Sequence, residues 1–423
     1  MRKVPPLTPE AATIAVGFSA RALAEATVAA QSRHPLVADH FADHDCRLAA
    51  EHVVRINPWG GNVLNGPQLI TELLAVGART QSQVLLAGGT ENWPELVELL
   101  HQHFTVLGPT VGQLRQLRCP ECWQQWAKQS NVGFPETLWQ PAHPPGNWLL
   151  KPLRSAGGYS ISRSSKLPDK AHSRSRSRQS LDAYWQQYVP GRSLGVYCVL
   201  HRDGRVELLG ASESISAAQW PGPSEFIYRG SLGPIELPLH HCRRVADLCH
   251  LIQRETGMLG WLQLDFIEDQ ASELWLLELN PRWAAGMEVL ILAGINPVAY
   301  HCRAWQAETV PSNSNPGGVR LARIAPSRTI AASGEQHECS FGKAIVYAPH
   351  EIELTHRRIE SLHSLPCDNF ADVPSHHLIA DGQTAHILSR GEPLLTVRTG
   401  GLRSNLLEQL FELRETALAA LAS

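Results

Sequence analysis

The chain has 423 residues, 43% hydrophobic and 18% charged, with 32 glycines and 29 prolines, a composition suited to two or three globular domains around separate cores. A formal net charge of −3 offers no basic field for a nucleic-acid partner or a membrane surface, and no apolar run approaches the roughly 18 residues that span a bilayer. Nine scattered cysteines in a chain this long need no disulfide stapling, and Pro5, Pro6 and Glu10 interrupt any signal-like stretch, so a cytoplasmic protein with reduced thiols is expected.

In chain order, Thr13 to Phe18 reads as a strand, followed by a small-residue turn and a helix with apolar spacing through Ala30. "HPLVADHFAD" supplies a second short strand, and "QVLLAGGTENWPELVELLHQHF" repeats the order of strand, glycine turn and helix. Strands alternating with helices predict a parallel α/β layer over residues 1–110. The turn Gly17-Phe18-Ser19-Ala20 lacks a full GxGxxG, so no dinucleotide site is assigned to it. "RCPECWQQWAKQ" predicts a helix with Pro120 in its first turn. Its lone CxxC, Cys119 to Cys122, has no second ligand pair at zinc spacing, nor does His240 to Cys242 supply one, and the two cysteines read as helix-start residues. From Trp148 onward strands and loops dominate. "HSRSRSRQS" (172–180) is a basic low-complexity loop, and a smaller β-rich region over 326–423 closes with a helix from Leu406 to Ala420.

The segment "LGWLQLDFIEDQASELWLLELNPR" (259–282) reads as a hairpin whose turn lies between Glu268 and Leu274. Asp265 then faces Glu278 and Gln263 faces Asn280, all four on one side. The other side holds Leu262, Leu264, Phe266, Leu277 and Leu279 as a core face. Two carboxylates opposed across a ladder repel unless a cation lies between them, and Mg²⁺ takes carboxylates, an amide oxygen and phosphate oxygens. Pro281 ends regular pairing, and Arg282 offers a planar fork to phosphoryl oxygens. The competing reading is a solvent-facing hairpin with hydrated acids.

Upstream, "NWLLKPLRSAGGYSI" places Lys151 near the end of an apolar strand, before the loop Ser155-Ala156-Gly157-Gly158. Adjacent glycines let backbone N–H groups turn toward an anion, and the lysine supplies a point charge. "YWQQYVPGRSLGVYCVL" then runs Gln186-Gln187-Tyr188-Val189 into a Pro190-Gly191 hinge whose exposed backbone can read an adenine edge. This ordered series resembles the ATP-grasp superfamily, closest to the carboligases related to biotin carboxylase and the carbamoyl-phosphate synthase large subunit. "GTENWPELVELL", "RCPECWQQWAKQSNVGFPET", "FIYRGSLGP" and "GEPLLTVRTGG" look like a narrower group, similar to the tyramine–glutamate ligase of methanogens and its counterparts in methanopterin-using bacteria.

The resemblance implies an ATP-grasp fold of class α/β with an α+β clamp: a Rossmann-like pre-grasp domain (1–110), the grasp domain (111–325) and a small C-terminal β-rich region (326–423). It implies ATP and Mg²⁺, with Mn²⁺ able to substitute. Lys151 would hold the α- and β-phosphates, Ser155, Ala156, Gly157 and Gly158 would cover the triphosphate, and Gln186, Gln187 and Val189 would line the adenine pocket. Asp265, Glu278 and Asn280 would carry the metal, and Arg282 would meet the γ-phosphate or an acyl phosphate. Two departures stand out. Gln186 occupies a place the family usually gives to Glu, and a second phosphate lysine is missing, leaving Arg115 or Arg118 to substitute. The implied reaction is ADP-forming ligation of a small-molecule carboxylate to an amine, in one-carbon cofactor biosynthesis, with a homodimer admissible. A bicarbonate-activating enzyme and a nucleotide-binding scaffold without turnover are the alternatives. Arg229 and Arg320 are candidates to hold a substrate carboxylate.

Overall fold

In the computed structural model, which describes residues 11–56, 65–139, 146–166, 183–306, 319–321, 339–379 and 384–422, the first elements form a five-stranded parallel sheet. Its strands are Thr13–Val16 (β1), Leu36–Asp39 (β2), His52–Arg55 (β3), Gln83–Leu86 (β4) and Thr105–Val106 (β5), in the order β3-β2-β1-β4-β5. Every residue of β1, β2 and β4 is buried, as a parallel sheet covered on both faces requires. The turn after β1 leads into helix Arg21–Gln31, where the Asp39 carboxylate accepts hydrogen bonds from the N–H groups of Ala20 and Ala42. An internal carboxylate thus takes the place at the helix start that a dinucleotide phosphate would need.

A nine-stranded sheet forms the larger body. It runs in the order Leu274–Asn280, Gly260–Glu268, Arg192–Leu200, Val206–Ser214, Gly230–Ile235, Cys339–Tyr347, Pro393–Leu402 and Phe370–Ala371, with Val319–Leu321 pairing beside Val206–Ser214. The sheet therefore continues without a break from the acid-bearing hairpin into the C-terminal strands through the pairing of Gly230–Ile235 with Cys339–Tyr347. Helix Leu239–Thr256 covers the hairpin's apolar face. Its buried Cys242, Val245, Ala246, Cys249 and Ile252 recur at helical spacing, and Gly257 ends it at φ +67°. Helix Leu406–Ala420 has the predicted bounds and packs on the C-terminal strands. A separate four-stranded sheet joins Thr137–Leu138, Ala183–Gln187, Trp148–Pro152 and Ser162–Arg163. The Ser/Arg stretch at 172–180, residues 322–338 and the side chain of Arg320 lie outside the described residues.

A buried ionic cluster ties the first helix to the C-terminal strands of the large sheet through Glu288. Glu288 accepts from Arg21 at 2.6 Å and from Arg398 at 3.2 Å, and pairs with Lys343; Arg21 also meets Asp372 at 2.9 Å. Desolvation works against ionisation of Glu288, but these cations outweigh it and hold its pKa well below the usual carboxylate range.

The hairpin differs from expectation at one residue. Asp265 pairs with Glu278 as predicted, but the register shifts immediately afterwards so that Phe266 pairs with Leu276. Leu277 is the extra residue of this bulge and stays partly exposed, while Leu276 is fully buried in the core with Leu262, Leu264, Phe266 and Leu279. We expect Leu276→Ala to cost about 2–5 kcal/mol of stability in chemical denaturation. Leu277→Ala should cost clearly less; equal losses would refute the bulge.

Candidate active site

The site forms where the hairpin's last strand runs onto the carboxyl edge of the parallel sheet. After Asn280 the ladder stops at Pro281, and the N–H of Trp283 donates to the carbonyl of Leu86 at the end of β4 (2.9 Å). That docking places Arg282 against the turn Thr90–Asn92, whose Glu91 lies 191 residues away in sequence. The Arg282 Nε donates to Glu91 Oε1 at 3.0 Å, and its Nη2 stands 2.9 Å from the same oxygen.

The four polar residues of the hairpin share one face. Gln263 Nε2 donates to Asp265 Oδ1 (2.6 Å), and Asn280 Nδ2 donates to Asp265 Oδ2 (2.7 Å) and to Glu278 Oε1 (3.2 Å). Arg282 reaches Gln263 Oε1 (3.3 Å) and Asn280 Oδ1 (3.0 Å). Of the two arginines weighed as lysine substitutes, Arg118 is here: its Nη1 lies 3.8 Å from Glu278 Oε2 and 3.5 Å from Asn280 Oδ1. Arg115 is exposed on helix Val111–Leu117.

Burial, the Glu278 charge and a hydrogen bond with Glu278 push Asp265 up to about 8, against the pull of Arg282. Desolvation also opposes ionisation of Glu278, yet Arg118, Lys151, Asn280 and Arg282 together hold its pKa below the ordinary value. The pair thus keeps one proton well into the neutral range. Amide N–H groups and that proton stand where a divalent cation would be at home, so the donor set fits a hard metal of the Mg²⁺ type. Asn280 would join as a ligand only after its amide turns over, because Oδ1 here faces the arginines.

Lys151 is buried on strand Trp148–Pro152, and its Nζ donates to Gln186 Oε1 at 3.1 Å. Gln186 is itself buried, and its Nε2 has no hydrogen-bond partner. This orphaned donor fits an acceptor nitrogen of a purine base. The Gln187 side chain points to the opposite, exposed side, so strand alternation removes it from this group; Val189 is partly buried just beyond the strand. Ser155 to Gly158 fold back over the segment 226–228. Tyr228 N–H donates to the carbonyl of Gly157 (2.8 Å), and a Cβ on Gly158 would lie 1.8 Å from the Phe226 oxygen. The Ser155 carbonyl accepts from Asn92 Nδ2 at 3.3 Å.

Arg229 does not serve as a carboxylate holder. It is buried, and its guanidinium is spent on the carbonyls of Trp220, Ser224, Glu225 and Ile227, bracing the loop before strand Gly230–Ile235. Cys119 is the N-cap of helix Pro120–Gln129, as a helix-start residue should be. Glu91 and Asn92 are residues of this site that sequence reasoning did not single out. The signals were the glycine turn at the end of β4, where open α/β sheets collect ligands, and the segment "GTENWPELVELL", which carries both residues.

A free Asp265 carboxylate is disfavoured in the fold, so its contribution to stability is full below about pH 4 and is lost as pH rises toward 8. In metal-free protein, the fall in Tm between pH 5 and pH 8 should be smaller for Asp265→Asn than for the wild type. Adding Mg²⁺, the ion this donor set fits, should raise the wild-type Tm at pH 8 more than that of Asp265→Asn.

No protein-family model and no curated protein sequence matches the chain. Solved structures do. The biotin carboxylase domain of Hydrogenobacter thermophilus 2-oxoglutarate carboxylase, crystallised with Mg-ADP, ADP and bicarbonate, superposes with a TM-score of 0.66 at 12% identity, covering 95% of this chain and 89% of that one. The L-amino acid ligase of Bacillus licheniformis gives 0.59 at 11% identity over 96% and 97% of the two chains. N5-carboxyaminoimidazole synthetase of Staphylococcus aureus, complexed with ADP, gives 0.59 at 10% identity over 96% and 97%. The chain has the ATP-grasp fold.

Proposed function

We propose that this protein is an ATP-dependent ligase that joins a carboxylate to an amine and releases ADP and phosphate. One observation carries the reading: Asp265 and Glu278 face each other across a ladder while Arg118 and Arg282 converge on them and Lys151 adds its charge nearby. Such a cluster is costly on its own and suits a polyphosphate with its metal. The ATP-grasp fold of the neighbours and the ADP in two of their crystals support the same assignment.

In this mechanism Lys151 binds the α- and β-phosphates and Gln186 Nε2 donates to the base. The loop 155–158 excludes water from the triphosphate. Asp265 and Glu278, with Asn280 once its amide turns over, would hold Mg²⁺, or Mn²⁺ in its place, which would supply charge neutralisation for phosphoryl oxygens. Arg282 and Arg118 face the charge that spreads as the substrate carboxylate attacks the γ-phosphorus and ADP departs. Arg282 then stays on the acyl phosphate while an amine displaces inorganic phosphate. The protein's share is positioning and charge, with no covalent step of its own.

For the substrates we propose a glutamate-type acid and an amine in one-carbon cofactor biosynthesis, supported by the segments that resemble the tyramine–glutamate ligase group. Residues 1–110, 111–325 and 326–423 are proposed as the pre-grasp, grasp and C-terminal units of a cytoplasmic enzyme that forms a homodimer. Bicarbonate activation is a second reading, favoured by the TM-score of 0.66 to a biotin carboxylase domain.

Phosphate release from Mg-ATP in the presence of pooled carboxylic acids and amines tests the assignment. Amine-dependent release supports ligation, and release that needs bicarbonate instead moves the protein to the second reading. Glu278→Gln should lower turnover about a thousand-fold while leaving the melting temperature near that of the wild type. Arg118→Ala should raise the KM for ATP about ten-fold, and Arg115→Ala should not.

A further inference from the structure

The ion pair between Glu91 and Arg282 leaves half of its carboxylate unused. Both contacts from Arg282 go to Oε1; Oε2 is buried and has no partner. The next residue repeats the pattern. Asn92 Nδ2 donates to the Ser155 carbonyl of the glycine loop, while Asn92 Oδ1 is buried and also has no partner. Two orphaned acceptors thus belong to consecutive residues of the turn Thr90–Asn92, one on the partner of Arg282 and one on the residue that bonds the glycine loop. Buried polar groups seldom go unpaired, and a pair of acceptors calls for a ligand that brings N–H donors. A second carboxylate would bring only oxygen lone pairs and bicarbonate a single O–H, a poorer complement to two acceptors than an ammonium.

We propose that Glu91 Oε2 and Asn92 Oδ1 form the subsite for the amine substrate, a primary amine that enters as its ammonium, and that Glu91 is the base that frees the nitrogen. The proposal rests on the ligase reading above and specifies its second substrate. Glu91 Oε2 takes one proton from the ammonium, and the exposed lone pair forms the C–N bond to the acyl carbon. The C–O bond to phosphate breaks with its electron pair going to the phosphate, which takes the second proton lost from nitrogen. Glu91 then releases its proton to solvent. One carboxylate so holds both the cation that meets the acyl phosphate and the nitrogen that attacks it, which fixes their separation. Bonding of Asn92 Nδ2 to the Ser155 carbonyl ties this subsite to the glycine loop.

Hydroxylamine separates the two half-reactions, because it is uncharged at neutral pH and attacks acyl phosphates without a base. The wild type, given Mg-ATP and pooled carboxylic acids, should form hydroxamates with hydroxylamine and amides with pooled primary amines. Glu91→Gln should cut amide formation about thirty-fold more than hydroxamate formation, the smaller loss reporting the weakened hold on Arg282. Its amide rate should recover as pH rises toward the pKa of the amine. Asn92→Ala, which keeps the Glu91–Arg282 pair, should raise the amine KM about ten-fold and carries the test if Glu91→Gln does not fold. Equal loss of both products in Glu91→Gln, or an amine KM unchanged in Asn92→Ala, would overturn the subsite and leave the ligase intact. A wild type that forms neither product would remove the ligase reading and the subsite with it.

Discussion

Asp265 and Glu278 are set opposite one another by the pairing of two strands, and the rest of the site is a response to that pairing. Like charges across a ladder repel, and here one face of the same ladder is sealed by Leu262, Leu264, Phe266, Leu276 and Leu279 beneath helix Leu239–Thr256. The backbone cannot relieve the repulsion without exposing that core. It is met instead by side chains: two amides that donate into the acids, a proton retained by the pair, Arg282 at the hairpin's end and Arg118 from a distant helix end. The tension is local, but the elements that answer it come from residues 91, 118, 151 and 282.

What brings those elements together is equally physical. Pro281 has no N–H for the ladder, so the chain leaves the sheet there, and Trp283 finds its partner on Leu86. A single backbone bond thus joins the hairpin to the parallel layer and carries Arg282 to Glu91. Farther out, Glu288 gathers Arg21, Lys343 and Arg398, so the first helix and the last strands meet on one buried carboxylate. Removing one partner of such a cluster leaves uncompensated charge inside the protein, which makes the contact a determinant of how the parts are seated.

Much of the site was legible in the residues. The alternation of polar and apolar positions fixed the facing of Asp265 with Glu278 and of Gln263 with Asn280, and Pro281 marked the end of pairing. The bulge at Leu277 was not legible, because Leu-Leu at 276 and 277 satisfies an apolar pattern in either register. Arg229 in "FIYRGSLGP" was a candidate to hold a substrate carboxylate, and only the fold reveals that four carbonyls consume it. Glu91 and Asn92 sit in a turn whose partners lie 191 and 63 residues away, and no local pattern encodes such distances. The choice of Arg118 over Arg115 likewise depends on where a helix ends against the hairpin.

The unbroken hydrogen-bonded run from Leu274–Asn280 to Phe370–Ala371 has a consequence for how such a protein can evolve. Strand Cys339–Tyr347 lies along Gly230–Ile235, so the tail is woven into the large sheet and cannot be traded as a cassette. Cutting between them would leave two raw sheet edges ready to pair with foreign chains. New specificities should therefore arise by changing turns at the sheet ends, such as the one after β4, with the woven framework inherited whole.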